Sequence, residues 1–590
     1  MKKLIGLLLV LIIFSGVVSG KGDPGAPLYI SDVAWASGST LLLAKAGTHE
    51  VALTEMNGKT IRHWTFNEPV TGVVVHGNLA FVTSSDAQGY VSLIDLDRSQ
   101  KVATAKVAPG ARCPVISMDK NSLFVAAQFG NIIYKMHPKT LKIINKVKVP
   151  REPFDMAVSP DGKYLFVNNL LPAQRADAEL VAADVSVIEL AEFTKLKDIK
   201  LCNGSNALRG ICFSPDGSHA YVTHNLGRFQ LPTSQLEQGW MNTAGFSIID
   251  VRKLDFLATV ILDEPEEGAA GSWDIHCTND HLVVTHSGTH DISVISHQKF
   301  IRKLLAESNK ASLSYNLFFL EGIRKRYPLK GNGPRNFALS DNLACIPTYF
   351  SDHLNLFDLT TGHISEIILN PNRMESGEDK GQRIFNDATN CFQRWQSCNG
   401  CHPGDGRTDG LNWDLLNDGL GNPKNCKSLI FALATPPAMV SGIRGSAEVA
   451  VRAGFKHIQF SAIPEEEAKC VDAYLKSLKP VPSPWLINGK LSKAAKKGKR
   501  LFEQQACGDC HNGPYYTNLQ SYKTGGQETV LKEWNGWDTP TLREVWRTAP
   551  YLYNGSAYLM KEVFEIYRHG LKSKLSKEEI AQLAEYVNSL

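Results

Sequence analysis

The chain has 590 residues, enough for about three to five domains at roughly 100–200 residues each. Its 43% hydrophobic and 21% charged residues exclude a disordered chain, and 63 Lys+Arg against 59 Asp+Glu are too balanced for a nucleic-acid carrier. Twelve cysteines are too few for a disulfide scaffold of this length but enough for cofactor chemistry.

Lys2 and Lys3 precede an apolar run from Leu4 to Val18 that the small residues Ser19 and Gly20 close, the order of a secretory signal. Residues 1–20 are expected to be a cleaved signal peptide that sends the mature chain to the periplasm or another exported compartment. The run is shorter than the ~20 residues of a membrane span; left uncleaved, it would serve as an N-terminal anchor. No later stretch reaches spanning length without charges, so the mature chain is expected to have no membrane span.

From residue 27 to 371 one pattern keeps returning. Ser159-Pro160-Asp161-Gly162 leads into Lys163–Asn168, and Ser214-Pro215-Asp216-Gly217 leads into Ser218–Thr223: a tight turn, then an alternating half-buried strand. Second strands recur at 91–95, 185–188, 246–250, 292–295 and 354–358. At the ~40–50 residues of a four-stranded blade the region holds seven blades, and radial closure would protect their edges. With Phe81-Val82-Thr83 and Tyr221-Val222-Thr223, it resembles the YVTN family of seven-bladed β-propellers. His276, His286 and His290 fall in one blade and His224 in the one before it. They read either as rim histidines bonded to backbone or as a transition-metal site.

After 371 the pattern becomes helical and carries the chemistry. Cys398-Asn399-Gly400-Cys401-His402 and Cys507-Gly508-Asp509-Cys510-His511 are both C-x-x-C-H, in which two thiols hold a haem covalently and the imidazole ligates its iron. Two covalently bound haem c groups are therefore expected, which suits an exported chain. The surroundings are duplicated: Gly381-Gln382-Arg383-Ile384-Phe385 matches Gly498-Lys499-Arg500-Leu501-Phe502, and Tyr474–Leu478 matches Tyr586–Leu590. The expected organisation is a multidomain chain, an all-β seven-bladed propeller (27–371) followed by an all-α tandem of c-type cytochrome domains. Its first haem domain spans 372–480, its second spans 498–590, and a proline-rich linker at 481–497 joins them.

The last 220 residues are similar to the di-haem cytochrome c peroxidase and MauG family, through Thr548-Ala549-Pro550-Tyr551, Gly555 and Arg543. That resemblance implies a calcium ion on the Thr548 and Pro550 carbonyls and Asn425, with hard oxygen donors that suit it. It also implies an upper ligand for the second haem at Tyr567, with Met560 and His569 as alternatives. The family's second histidine on the first haem falls on Asn417 here, a poor ligand, which implies a five-coordinate iron above His402. Glu448 and His457 are the distal acid–base candidates for that site.

Cys391, Cys426 and Cys470 belong to the first haem domain and offer one disulfide. The basic run Lys490–Arg500 is either a solvated helix face or a docking surface. The function implied is a peroxidase-type haem oxidoreductase that uses hydrogen peroxide or oxygen at one haem and relays electrons through the other. Its partner would be a small redox protein, a c-type cytochrome or cupredoxin, or a protein substrate. The alternative is a non-enzymatic di-haem electron carrier with the propeller as its docking module. One propeller face is expected to cover the His402 site, with His276, His286, His290 and the insertion from Phe229 to Asn242 on it.

Overall fold

The computed structural model describes residues 25–231, 241–415, 422–523 and 536–590; the leader 1–20, Asn417 and most of the 229–242 insertion lie outside them. Seven antiparallel sheets span 30–65, 70–107, 111–148, 153–200, 205–261, 272–328 and 338–368, the seven blades of a β-propeller. Each takes its strands in chain order, and in the fifth the inner edge is split into Ser205–Asn206 and Ile211–Phe213. The ring closes without strand exchange. Leu28, Ile30 and Leu41 pack against Ala338, Cys345 and Leu354 of blade 7, and the Leu28 amide donates to Asp352 at 3.0 Å.

The Ser-Pro-Asp-Gly turns are built alike. Ser159 and Ser214 each donate to the Asp two residues on at 2.6 Å, and Gly162 and Gly217 take φ +71° and +69°, a region that favours glycine. A repeated staple joins neighbouring blades. Asp32, Asp155 and Asp274 each accept the next residue's amide at 2.8–2.9 Å, and the other carboxylate oxygen accepts an amide of the following blade, from Val73, Ile211 and Phe337. These carboxylates are buried in pairs of adjoining inner strands. Burial, with Asp274 adding to it, raises Asp32 to about 7 and Asp155 to about 6.

Among the described residues there are eight α-helices, in chain order α1 (His297–Ala306), α2 (Gly377–Asn386), the single turn α3 (Pro403–Gly406), α4 (Ala447–His457), α5 (Glu465–Ser477), α6 (Lys493–Gln504), α7 (Met560–Glu565) and α8 (Lys577–Asn588). Helix α1 interrupts blade 6 between its third and fourth strands and buries Phe300 and Leu304, an insertion that strand periodicity does not announce. The region after 372 is not purely helical. Two short ribbons, Asn412–Trp413 with Lys424–Asn425 and Ser521–Tyr522 with Trp537–Asp538, and long loops separate its helices. Helix α6 begins inside the stretch read as linker, because Ser492 caps it through the Ala495 amide.

The helices pair as α2 with α5 and α6 with α8. A Cβ on Gly381 would meet the Cys470 carbonyl at 1.9 Å and Tyr474 Cβ at 2.9 Å; one on Gly498 would meet the Gln582 carbonyl at 1.9 Å and Tyr586 Cβ at 2.9 Å. The two crossings are the same contact made twice, and only glycine permits it. Among the described residues, no helix is long and apolar enough to cross a membrane.

One face of the propeller docks on this region. Gly268 donates to the Gln393 carbonyl at 2.7 Å, Ala388 to Gly288 at 2.9 Å and Ala176 to Gly555 at 2.9 Å. His290 Nε2 lies 3.2 Å from Asp387. Of the other histidines proposed for this face, His286 is fully buried within its blade, on Ser293 at 2.8 Å. His276 sits on Asp274 at 3.3 Å and against Phe337, and His224, of the preceding blade and not among those expected on this face, is bonded to Ser247 and the Asn225 carbonyl. Inward-pointing strand positions, rather than loops, account for all three.

Candidate functional site: two C-x-x-C-H segments

Each segment is a 3-10 turn, Cys398–Gly400 and Cys507–Asp509, that follows the first helix of its pair. The His402 amide donates to the Cys398 carbonyl at 3.0 Å and the His511 amide to the Cys507 carbonyl at 2.9 Å, which folds the histidine back under its cysteines. The imidazoles are then oriented identically: His402 Nδ1 is 3.2 Å from the Arg407 carbonyl and His511 Nδ1 is 3.1 Å from the Tyr516 carbonyl, five residues on in both cases. A backbone acceptor on Nδ1 fixes the tautomer that presents Nε2 to a metal. Burial lowers both histidines to about 4, so both are neutral at pH 7, as a ligand must be.

The donor set fits a covalently held haem. At the first segment three buried polar atoms, Trp395 Nε1, Asn242 Oδ1 and Gln459 Oε1, have no hydrogen-bond partner among the described residues, as expected around a site meant to hold a further group. Gln459 Nε2 reaches Cys398 Sγ at 3.2 Å, and Asn242 Nδ2, from the propeller, reaches Cys401 Sγ at 3.1 Å. Val181, Phe229 and Met241 of the propeller share one apolar cluster with Cys391, Trp395, Leu411 and Trp413. The first site is therefore walled by both halves of the molecule.

The second site has no such wall. The four cysteines of the two segments are alike half-buried, but the core at the second consists of its own helices, with Phe502, Met560, Val563 and Tyr586. The rings of His511 and His569 have centroids 6.3 Å apart. That separation accommodates one iron between them, with two metal–nitrogen bonds of about 2.0–2.1 Å and the distance from each ring centre to its nitrogen. Tyr567 instead donates to the Ser556 carbonyl at 2.9 Å, and Met560 is buried in the helical core.

Other expected residues are dispersed. Glu448 lies in the first turn of α4, where a hydrogen bond from Ser446 lowers its pKa. His457 is exposed at the other end, about 13 Å away at 1.5 Å per residue, so the helix does not bring the two together. Asn425 and Pro550 flank Gly555, whose absent Cβ would meet Asn425 Nδ2 at 2.8 Å and Pro550 Cγ at 3.0 Å; the Thr548 hydroxyl donates to the Val545 carbonyl. No disulfide joins any of the twelve cysteines. Cys391, Cys426 and Cys470 form no bridge, because Cys391 packs in the interdomain cluster, Cys426 sits 3.6 Å from His402 Nδ1, and Cys470 lies on α5 against Gly381. Among the described residues no group of three or more His, Cys, Asp or Glu is placed to hold a metal.

A buried charge chain links the halves to the first site, and its residues carry no motif. Arg547 makes a two-pronged contact with Glu152 of the propeller at 2.8 and 2.9 Å. Glu544 stands 3.5 Å from Arg547 and 2.9 Å from Arg407, the residue whose carbonyl holds His402. Burial pushes the Glu152 carboxyl up, but the Arg547 guanidinium overcomes it and holds the group below its ordinary value. Proximity of Arg547 to Thr548-Ala549-Pro550 is the one sequence signal that could have drawn attention to it.

No family model matches the chain. It is 27% identical over 272 residues to hydrazine synthase subunit gamma of Kuenenia stuttgartiensis, covering 36% of this chain and 76% of that protein. It is 25% identical over 207 residues to hydrazine synthase subunit beta of the same organism, covering 34% of this chain and 51% of that protein, so it spans about half the length of the latter. A solved chain of Kuenenia stuttgartiensis hydrazine synthase superposes with a TM-score of 0.51 at 20% identity, over 60% of this chain and 99% of that one, a likeness of fold.

Proposed function

We propose that this chain is an exported di-haem c oxidoreductase that unites, in one polypeptide, counterparts of the beta and gamma subunits of a hydrazine synthase. The observation that carries the haem reading is the repeated geometry of His402 and His511, each fixed through Nδ1 to a carbonyl five residues on and preceded by two thiols. Support for the fusion comes from similarity to both subunits. The gamma match covers 36% of this chain and the beta match 34%.

When bound, haem iron supplies one-electron chemistry and an open position for a small molecule. His402 would hold the iron at the first site, with Cys398 and Cys401 as the attachment points. Trp395, Met241 and Phe229 exclude bulk water there, and Arg407 orients the imidazole. Asn417, outside the described residues, is the position at which the di-haem peroxidase family would supply a second ligand, and an asparagine would be a poor one. At the second site His511 and His569 would together hold the iron, which would suit electron transfer rather than substrate binding. Asn425 with the Thr548 and Pro550 carbonyls is the candidate calcium position.

The nitrogen of hydrazine lies between those of ammonium and hydroxylamine in oxidation state, so full-length protein given ¹⁵N-ammonium and hydroxylamine tests the reading directly. Labelled hydrazine without peroxide turnover supports it. Peroxide turnover alone supports the second reading, a peroxidase, which the Thr548-Ala549-Pro550-Tyr551 segment favours. Neither activity, with both haems retained, would leave the electron carrier.

A further inference from the structure

The central channel of the propeller ends, on the face that docks against the helical region, in a belt where arginines and aromatic rings alternate. Arg112 of blade 3 lies 3.3 Å from the centre of the Phe154 ring of blade 4, and Arg209 of blade 5 lies 5.2 Å from the same ring. Arg209 is 3.7 Å and Arg335 4.1 Å from the Trp273 ring of blade 6. Arg335 continues to Tyr349 at 3.7 Å. Each neighbouring pair of guanidinium groups thus shares one ring, which gathers three positive charges at the end of one channel.

These charges are poorly compensated. Arg209 is 4% exposed and, among the described residues, forms no ion pair. Arg112 gives one bond to Gln128 at 2.9 Å, but its Nε is buried without a partner, as is the Nε of Arg335. Burying a guanidinium without acceptors is costly, and stacking on rings occupies its face while leaving the N–H edge unused. Asp405, in the turn after His402, is the carboxylate whose charge reaches Arg209 and Tyr349, while Asp155, Asp32 and Glu152 reach Arg112, so the compensation is concentrated at the Arg112 end of the belt. Farther along the inner strands stand Asp32, Asp155 and Asp274, which would repel an anion moving inward.

We propose that this belt is a binding site for a small inorganic oxoanion, held by the N–H edges of Arg112, Arg209 and Arg335 between the Phe154, Trp273 and Tyr349 rings. Planar guanidinium forks match oxygen pairs on such an anion. The acidic residues beyond stop it at the mouth, which makes the belt a site and not a conduit. Asp405 faces it from the helical side, so an occupied site would brace the turn that follows His402. This inference does not depend on what the haems do.

The test is a titration of full-length holoprotein with sodium sulfate and with sodium nitrate, at ionic strength held constant with chloride, followed by calorimetry and by the fluorescence of the native protein, to which Trp273 contributes. Saturable binding of one anion is expected, at least tenfold weaker in R209Q and in R335Q and unchanged in R98Q, an exposed arginine of the same propeller. Absence of saturable binding above the chloride background overturns the proposal, as does equal affinity in folded R209Q and R335Q. Binding accompanied by a shift of the haem spectrum and insensitive to both variants puts the anion on iron and also overturns it. Should either variant fail to fold, selenate-soaked crystals of the unaltered chain decide: an anomalous peak between Arg209 and Arg335 supports the site, and a map with no peak there refutes it.

Discussion

The segments around His402 and His511 share a helix crossing that glycine alone allows, a turn that folds the imidazole under two thiols, and a carbonyl five residues on that fixes the ring. What differs is the housing. The first is enclosed by propeller side chains and tied to Glu152 through Arg547, Glu544 and Arg407, whereas the second is completed by its own helices and by His569. One attachment unit has thus been used twice. The surroundings of the histidine distinguish the two, an interface with the propeller in one case and a second imidazole in the other.

The largest expected effect comes from cutting the tie to the propeller. Glu152→Ala removes the two-pronged partner of the Arg547 guanidinium, which is 5% exposed, and leaves it only Glu544 at 3.5 Å; breaking a buried pair costs about 3–5 kcal/mol. Calorimetry should show a lower melting temperature, and proteolysis should cut faster between the propeller and α2, while the His511 site keeps its spectrum. An unchanged melt would mean that the two halves are held by their apolar contacts alone.

A smaller effect separates the channel from the interface by pH. The folded pKa of Asp155 is raised by burial, and then by Asp274, to about 6; its contribution is therefore complete below its unfolded value and declines as pH climbs toward 6, by at most about 1.4 kcal/mol per unit. Glu152 has a depressed pKa, so its contribution is present above its unfolded value and lost as pH falls. Asp155→Asn should accordingly gain on the parent in stability between pH 4 and pH 6 and then run parallel to it. A gap that is constant from pH 4 upward would contradict the burial account.

The duplication itself can be weighed. Gly381→Ala and Gly498→Ala each force a Cβ against a backbone carbonyl at 1.9 Å, an overpacking cost of about 1–3 kcal/mol, and the two losses should be equal within error in chemical denaturation. Unequal losses would show that the crossings are alike in sequence but not in packing. The finest distinction is spectroscopic: His569→Ala should turn the second haem from low-spin to high-spin, and Tyr567→Phe should leave it alone. The reverse result would make Tyr567 the upper ligand.

Much of this architecture is written locally. Pro-Asp-Gly turns, alternating strands, C-x-x-C-H spacing and the paired glycine helices all depend on residues close in sequence, and all can be read without a structure. A third copy of the turn escapes notice because Lys120, not glycine, takes the left-handed conformation, at φ +65°; Ser117 still bonds Asp119 at 2.5 Å. Helix α1 is hidden because its apolar face completes the cores of blades 5 and 6. Glu152 and Arg547 lie 395 residues apart, and no pattern along the chain announces such a pair. Asn242 and Gln459 reach the first site's sulfurs from other elements for the same reason. The choice between Tyr567 and His569, two residues apart, turns on which side chain faces His511, a matter of packing and not of spacing.

The central claim is that both C-x-x-C-H segments carry haem in covalent linkage, and the mass of the denatured full-length protein tests it most directly. The account predicts a mass increment of two haem groups that survives denaturation, reduced to one in Cys398→Ala/Cys401→Ala, with the remaining haem on the peptide that contains Cys507 and Cys510. A chain that carries one haem or none, when produced with its export and haem-attachment machinery, would contradict it.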